Sequence, residues 1–253
     1  MEWRDQGLLI GVKRHGETSV IAEVFTRSHG RHLGIVRGGR SHRMQPLLQP
    51  GNSVEIVWRA RLDEHLGTFA VEPLRLRVAA IMESALALQG INLVGACLRL
   101  LPERDPHPAL AETGELIADH LGEVRVAPAL MVRLELAVLQ ELGFGLDLAS
   151  CAASGTREDL VYVSPKSGRA VSRAAGLPYH ERLLALPGFL SGGGGEGVTA
   201  AEVAAGFALT GFFLERDVFA PRGIGASEAR RAYLAELAKL AASDNRLPTA
   251  DLA

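Results

Sequence analysis

Apolar positions along the chain change period near residue 79. Before it they fall in short runs rich in β-branched residues, each closed by a turn signal. Gly7 to Lys13 (GLLIGVK) ends at Arg14-His15-Gly16, and Thr18 to Thr26 (TSVIAEVFT) ends at Ser28-His29-Gly30. His32 to Val36 is a third short run, closed by Gly38-Gly39. Ser53 to Leu62 sets Val54, Ile56 and Trp58 against Glu55, Val57 and Arg59, the alternation of a strand with one face buried. Gly67 to Val78 supplies a fifth run, with Leu74, Leu76 and Val78 on one face and Arg75 and Arg77 on the other. Pro73 there points to a bulge or an edge position.

Beyond Ala79 the period becomes helical. Ile81 to Leu101 is rich in Ala and Leu and is closed by Pro102, and Leu110 to Leu121 is ended by Gly122. Ala127 to Leu142 carries Pro128 in its first turn, Gly143 after its end, and a stripe of Met131, Leu134, Val138 and Leu142. Leu160 to Ser172 departs from this: two strand-like runs flank Pro165-Lys166-Ser167-Gly168 and read as a hairpin. Gly192 to Gly197 reads as a flexible joint. Thr199 and Glu202 form a capping-box pattern opening a helix to about Phe219, and Ser227 opens a last one to about Ala242. Five strands in about 75 residues, with one longer excursion between the third and fourth, point to a small Greek-key barrel of the OB type. The expected class is α+β. An OB-type β-barrel occupies residues 1–79, a mainly α-helical domain with a small β-hairpin insertion occupies 80–242, and 243–253 form a frayed tail.

Charge sharpens this division. The formal net charge is −2, yet residues 1–80 hold 12 Lys and Arg against 8 Asp and Glu, and the remainder holds 15 against 21. From Val24 to Val54 there is no acid, while Arg27, Arg31, Arg37, Arg40 and Arg43 all fall there with His29, His32 and His42. Arginine forks grip phosphate in two places, so an acid-free arginine segment is a candidate footprint for a polyanion. A solvated loop carrying incidental arginines has the same pattern. The barrel's aromatic residues Trp3, Phe25, Trp58 and Phe69 lie on apolar faces and are expected in the core rather than as stacking platforms.

Other classes find little support. MEWRDQ lacks a signal-peptide apolar run, and the most apolar window, Leu86 to Leu101, is interrupted by Gln89, Asn92 and Arg99, so no membrane span is expected. Two cysteines, Cys97 and Cys151, suit a reducing cytosol. Gly192, Gly194 and Gly197 match G-x-G-x-x-G, but Leu186-Pro187-Gly188 precedes them where a dinucleotide fold needs a buried strand. Cys151 and Ser154 keep a C-x-x-C spacing with the second thiol missing, and no metal is expected. No nucleophile–base set or H-E-x-x-H pattern suggests an enzyme. Arg133 lies off the apolar stripe of its helix, either as surface patterning with Glu135 or as a charge beside an apolar groove.

Three stretches together resemble the RecO family of bacterial recombination mediators. They are GLLIGVKRHGETSVIAEVFTRSHGRHLGIVRGGR, the helix MVRLELAVLQELGFGLDL running into Cys151, and the closing FFLERDVFAPRGIGASEARRAYL. The resemblance implies an OB barrel followed by a helical domain, binding of single- and double-stranded DNA, and annealing of complementary strands. It also implies action with RecR to let RecA replace single-strand-binding protein, without a cofactor, in the cytoplasm at the nucleoid. Under it Arg27, Arg31, Arg37, Arg40 and Arg43 would hold phosphates. Arg133 would receive the acidic tail of single-strand-binding protein, and Arg222 and Arg230 would belong more loosely to a basic segment. Some relatives carry a four-cysteine zinc site where this chain has Cys151, Ser154 and the Ser164–Ser172 hairpin, so the metal is not carried over. A protein-interaction scaffold on the same barrel, without direct DNA binding, is the alternative.

Overall fold

The alternating runs of the first third close on themselves. The computed structural model describes residues 1–192, 197–225 and 227–244. Strands β1 (Glu2–His15), β2 (Ser19–Thr26), β3 (Gly30–Val36), β4 (Ser53–Arg59) and β5 (Thr68–Arg75) form a closed barrel in the order β1-β2-β3-β5-β4. Its seam is a parallel pairing of Ile35 with Thr68; every other pairing is antiparallel. Inward positions of the strands, Leu9, Val20, Ala22, Val24, Val36, Val54, Ile56, Trp58 and Phe69, make the barrel core. The excursion between β3 and β4 contributes Leu47 and Leu48 to the same cluster and plugs that end of the barrel.

Outward positions of β1 and β2 meet the helices. Leu8, Ile10 and Phe25 belong to the core shared by α1 (Val78–Met82), α2 (Ala85–Leu98), α3 (Pro108–His120) and α4 (Ala127–Glu141). Two apolar faces on one barrel wall explain why β1 has a continuous buried run from Gly7 to Ile10 rather than strict alternation. The long helix expected over 81–101 is two helices, because the Ser84 side chain accepts a hydrogen bond from Ala87 N–H and starts α2 afresh. Leu74 and Leu76 do not share a buried face. The register slips between Ser53 and Val54, Leu74 falls in the bulge, both leucines are exposed, and Val78 opens α1.

A second apolar cluster gathers around the hairpin of β6 (Leu160–Val163) and β7 (Ala170–Ser172). The short helix α5 (Arg173–Gly176) follows, and β8 (Leu184–Ala185) adds a third strand beside β6. Helix α6 (Ala200–Phe213) has the expected capping box with both bonds formed, and Leu214–Phe219 continues it as a π-helical segment. The last helix, α7 (Glu228–Asp244), packs on α2 and buries Tyr233 completely. Residues 193–196 of the expected joint, and 245–253 of the expected tail, lie outside the described residues.

Candidate nucleic-acid interface

Strand register decides which basic side chains meet. Along β1 and β2, Lys13, Arg14 and His15 pair with Ile21, Val20 and Ser19. Val20 and Ile21 then pair with Val36 and Ile35 on β3. The end of β1 and the residue after β3 thus lie two strands apart, so His15 and Arg37 are separated by about 10 Å at the backbone. The β1–β2 turn and the start of the β3–β4 excursion form one end of the barrel. Lys13, Arg14, His15, Arg37, Arg40, His42 and Arg43 are all exposed there. Across residues 11–22 and 37–54 the one acid is Glu17. Among the described residues Lys13, Arg14, Arg37 and Arg43 form no ion pair.

Arg40 is fixed differently. Its backbone N–H donates to Thr18 O at 3.0 Å, and its guanidinium donates to Gly16 O and Glu17 O. It staples the β1–β2 turn to the excursion through carbonyls, which leave its positive charge uncompensated.

The five arginines do not make one strip. Arg27 and Arg31 sit at the other end of the β2–β3 hairpin, and Arg31 is six residues from Arg37, about 20 Å along the strand. Arg31 is mostly buried, with its guanidinium 3.0 Å from Glu23 and 3.4 Å from Glu103. Glu23 also holds Arg99, at 2.7 Å. The chain between α2 and α3 lies directly on β3 here. Arg104 N–H donates to Arg31 O, and a β-carbon on Gly30, whose φ is +61°, would collide with the Asp105 backbone. Arg31, expected to hold phosphate, instead has its Nη1 engaged by Glu23 and Glu103, where the helical region covers that part of the barrel wall, and its Nε is buried without a hydrogen-bond partner. Arg27 pairs with Glu112 of α3 at 2.8 Å, both well exposed, an interaction worth about 0–1 kcal/mol.

On the helical side, Arg230 is engaged within the fold as well. Its Nε lies 2.7 Å from Glu135 Oε1, and Glu135 is 1 % exposed. Thr210 Oγ1 donates to the same carboxylate, and Arg230 reaches Phe207 O at 2.6 Å. This buried pair ties α7 to α4, and removing one partner would cost about 3–5 kcal/mol. Glu135 is accordingly not a surface neighbour of Arg133. Arg133 is exposed and donates to the backbone carbonyl of Phe189 at 2.9 Å, and the Phe189 ring belongs to the main core cluster. Arg222 is exposed in a short turn after the π segment, without an ion pair among the described residues.

The aromatic residues of the barrel gather at the end away from the basic loop. Phe25, Trp58 and Phe69 are core, as expected; Trp3 is half-buried and stacks on His29 with centroids 3.9 Å apart. His32 packs edge-on against Trp3 and Trp58, with neither ring nitrogen hydrogen-bonded. Burial, with help from the nearby Arg104 and His29 charges, lowers its pKa to about 4. At the hairpin, Cys151 Sγ accepts the Ser172 N–H at 3.3 Å. Burial pushes that thiol up, but bonds from Ser154 and Ser172 outweigh it and hold its pKa below the ordinary range. Among the described residues no group of three or more His, Cys, Asp or Glu side chains could hold a metal ion, and no helix is long and apolar enough to cross a membrane.

The sequence singled out the loop arginines but missed Lys13 and Arg14. The turn signal Arg14-His15-Gly16 held the clue, since an antiparallel meander returns the end of the first strand to the end of the third.

Two family models match the chain. One, described as Recombination protein O N terminal, covers residues 1–77, and the other, Recombination protein O C terminal, covers residues 96–223. The DNA repair protein RecO of Methylocella silvestris is 66% identical over 241 residues, 94% of this chain and 97% of that one. Its counterpart in Rhizobium etli (strain CFN 42) is 61% identical over 234 residues, covering 92% and 91%. That of Chelativorans sp. is 60% identical over 235 residues, covering 93% and 95%.

Proposed function

The chain belongs to the RecO family of DNA repair proteins, and from that premise we propose that it is a DNA-binding recombination mediator. Its barrel domain, residues 1–79, holds nucleic-acid backbone at the basic end around Arg37, Arg40 and Arg43. The helical domain, residues 80–242, docks protein partners. One observation carries the reading: an exposed cationic cluster stands at one end of the barrel, with one acid in its own segments and most of its side chains unpaired. Arg31 and Arg230 hold the protein together instead, and Arg27 stands apart at the opposite end.

Two complementary strands repel along their phosphates. A surface that neutralises several charges on each lowers that barrier and brings them into register, which is annealing without bond chemistry. No covalent step is needed, so the protein works as a binding factor rather than an enzyme. With RecR it helps RecA displace single-strand-binding protein on gapped DNA, in the cytoplasm at the nucleoid. Arg133 supplies a charge-assisted bond to the carboxylate of that protein's tail, since its guanidinium has one carbonyl partner and stands at the edge of an apolar core. Arg222 adds a further basic contact.

Replacing Arg37, Arg40 and Arg43 together by Ala should weaken binding of all oligonucleotide sequences alike, measured by fluorescence anisotropy. Unchanged affinity would remove the barrel end from the mechanism. Arg133→Glu should leave oligonucleotide affinity intact and abolish binding of a labelled tail peptide. It should also slow annealing of strands coated with single-strand-binding protein, and only when the tail is present. Loss of DNA binding with the tail still held would reverse the assignment.

A further inference from the structure

The β1–β2 turn packs against the arginine loop through Arg40 alone among side chains that hydrogen-bond between them. Lys13 and Arg14 lead into that turn, exposed and free of ion pairs among the described residues. Register brings Lys13 onto the outward face of Ile21 and Ile35, which Arg37 continues two residues further on; Arg14 ends the inward row of Val20 and Val36 and is exposed at the barrel rim. We propose that the phosphate track crosses from the loop onto the β1–β2 turn, with Lys13 and Arg14 as backbone-binding residues and Arg40 as the positioning residue that keeps the two halves together. This rests on the reading of the barrel end as a DNA-binding surface.

Three features of chemistry support the division of roles. One Arg40 nitrogen, Nη1, donates to two successive carbonyls, Gly16 O and Glu17 O, so a side chain of this length with a donor nitrogen at its end spans from the loop to the turn. Gly16 has φ +61° and nothing within 4 Å of where a β-carbon would stand, so the turn is open at its tip. Glu17 stands exposed between the two halves, the single carboxylate within the track. Lys13 and Arg14 are held by their pairing with Ile21 and Val20, so without the staple it is the loop, keeping only the Arg40 N–H bond to Thr18 O, that would loosen from the turn.

The test is the salt dependence of affinity for a labelled mixed-sequence single strand, using the full chain. Each phosphate contact contributes about 0.7 to the slope of log affinity against log salt, or about fivefold in affinity at roughly 0.1 M salt. The double variant Lys13→Gln, Arg14→Gln should be shallower by about 1.4, and Arg37→Gln by about 0.7. Arg40→Gln, which removes the staple together with one charge, should lose more slope than Arg37→Gln, which removes one charge alone, and Arg40→Lys, whose ammonium still donates to both carbonyls, should keep most of the parent slope. Glu17→Lys should bind more tightly, a gain that misfolding could not produce. If Arg37→Gln is shallower while the double variant and Glu17→Lys match the parent, the track stops at the loop and this inference fails with the functional reading intact. Arg40→Gln losing no more slope than Arg37→Gln overturns the positioning role. If no variant, Arg37→Gln included, changes the slope, the reading of the barrel end itself fails.

Discussion

His32 sits where an imidazole has aromatic faces on three sides and no hydrogen-bond partner for either nitrogen. The folded protein therefore holds it neutral, with a pKa of about 4 against an ordinary 6.5. Between those values the unfolded chain binds a proton that the folded one refuses. Stability from this residue is thus complete above about pH 6.5 and declines as pH falls towards 4, by up to about 3 kcal/mol. Urea unfolding should show His32→Phe losing less stability than the parent between neutral and acidic pH; equal losses would mean that His32 titrates normally. The charge census marked this histidine as part of a basic island, and the structure puts it in the barrel interior. Arg31 and Glu135 teach the same lesson with opposite signs. Each looked like surface charge, because a sequence shows neighbours along a strand or helix but not the partner brought in from another element. Arg31 meets Glu103 and Glu135 meets Arg230 across separations of 72 and 95 residues.

At the scale of elements, the excursion between β3 and β4 is held at its base. Asn52 is fully buried; its amide donates to Pro46 O and Leu47 O, and its oxygen accepts from the N–H groups of Arg77 and Val78. Arg77 extends this to the helices, reaching Gly51 O, Ser53 Oγ, Glu115 and Asp119. One end of the basic loop is thereby locked where β5 gives way to α1. Asn52→Ala should cost about 2–4 kcal/mol, since several buried groups lose partners at about 1 kcal/mol each. Hydrogen exchange should accelerate over residues 46–53 before the rest of the barrel, and uniform acceleration would contradict a local anchor. The strands were legible because alternation between a core and a second face imposes period two, α6 because its capping box is local chemistry, and α4 because Pro128 in its first turn and Gly143 past its end bracket it. The bulge at Leu74 and the two-residue strand β8 depend on tertiary packing and left no period to read, while the break at Ser84 is a local cap hidden inside a run of unbroken helical period.

Taken whole, the molecule has a barrel with two unlike ends. One end, with the β2–β3 turn and the β4–β5 loop, is fastened to the helical region: Arg104 donates to the carbonyls of Asp63, Glu64 and His65, and Arg27 reaches Glu112. The other end carries the unpaired cations. Composition announced a basic first third, and the acid-free run located most of the cluster. Only the closure of the barrel sorted its arginines into those that bind inward and those that face solvent. Comparing the salt dependence of oligonucleotide affinity in two variants tests that sorting most directly. Arg37→Gln with Arg43→Gln should flatten the slope by about 1.4, while Arg27→Gln should leave it within a few tenths of the parent. The reverse pattern, with Arg27→Gln flattening it and the loop variant binding as the parent does, would place the nucleic acid at the wrong end of the barrel for everything proposed above.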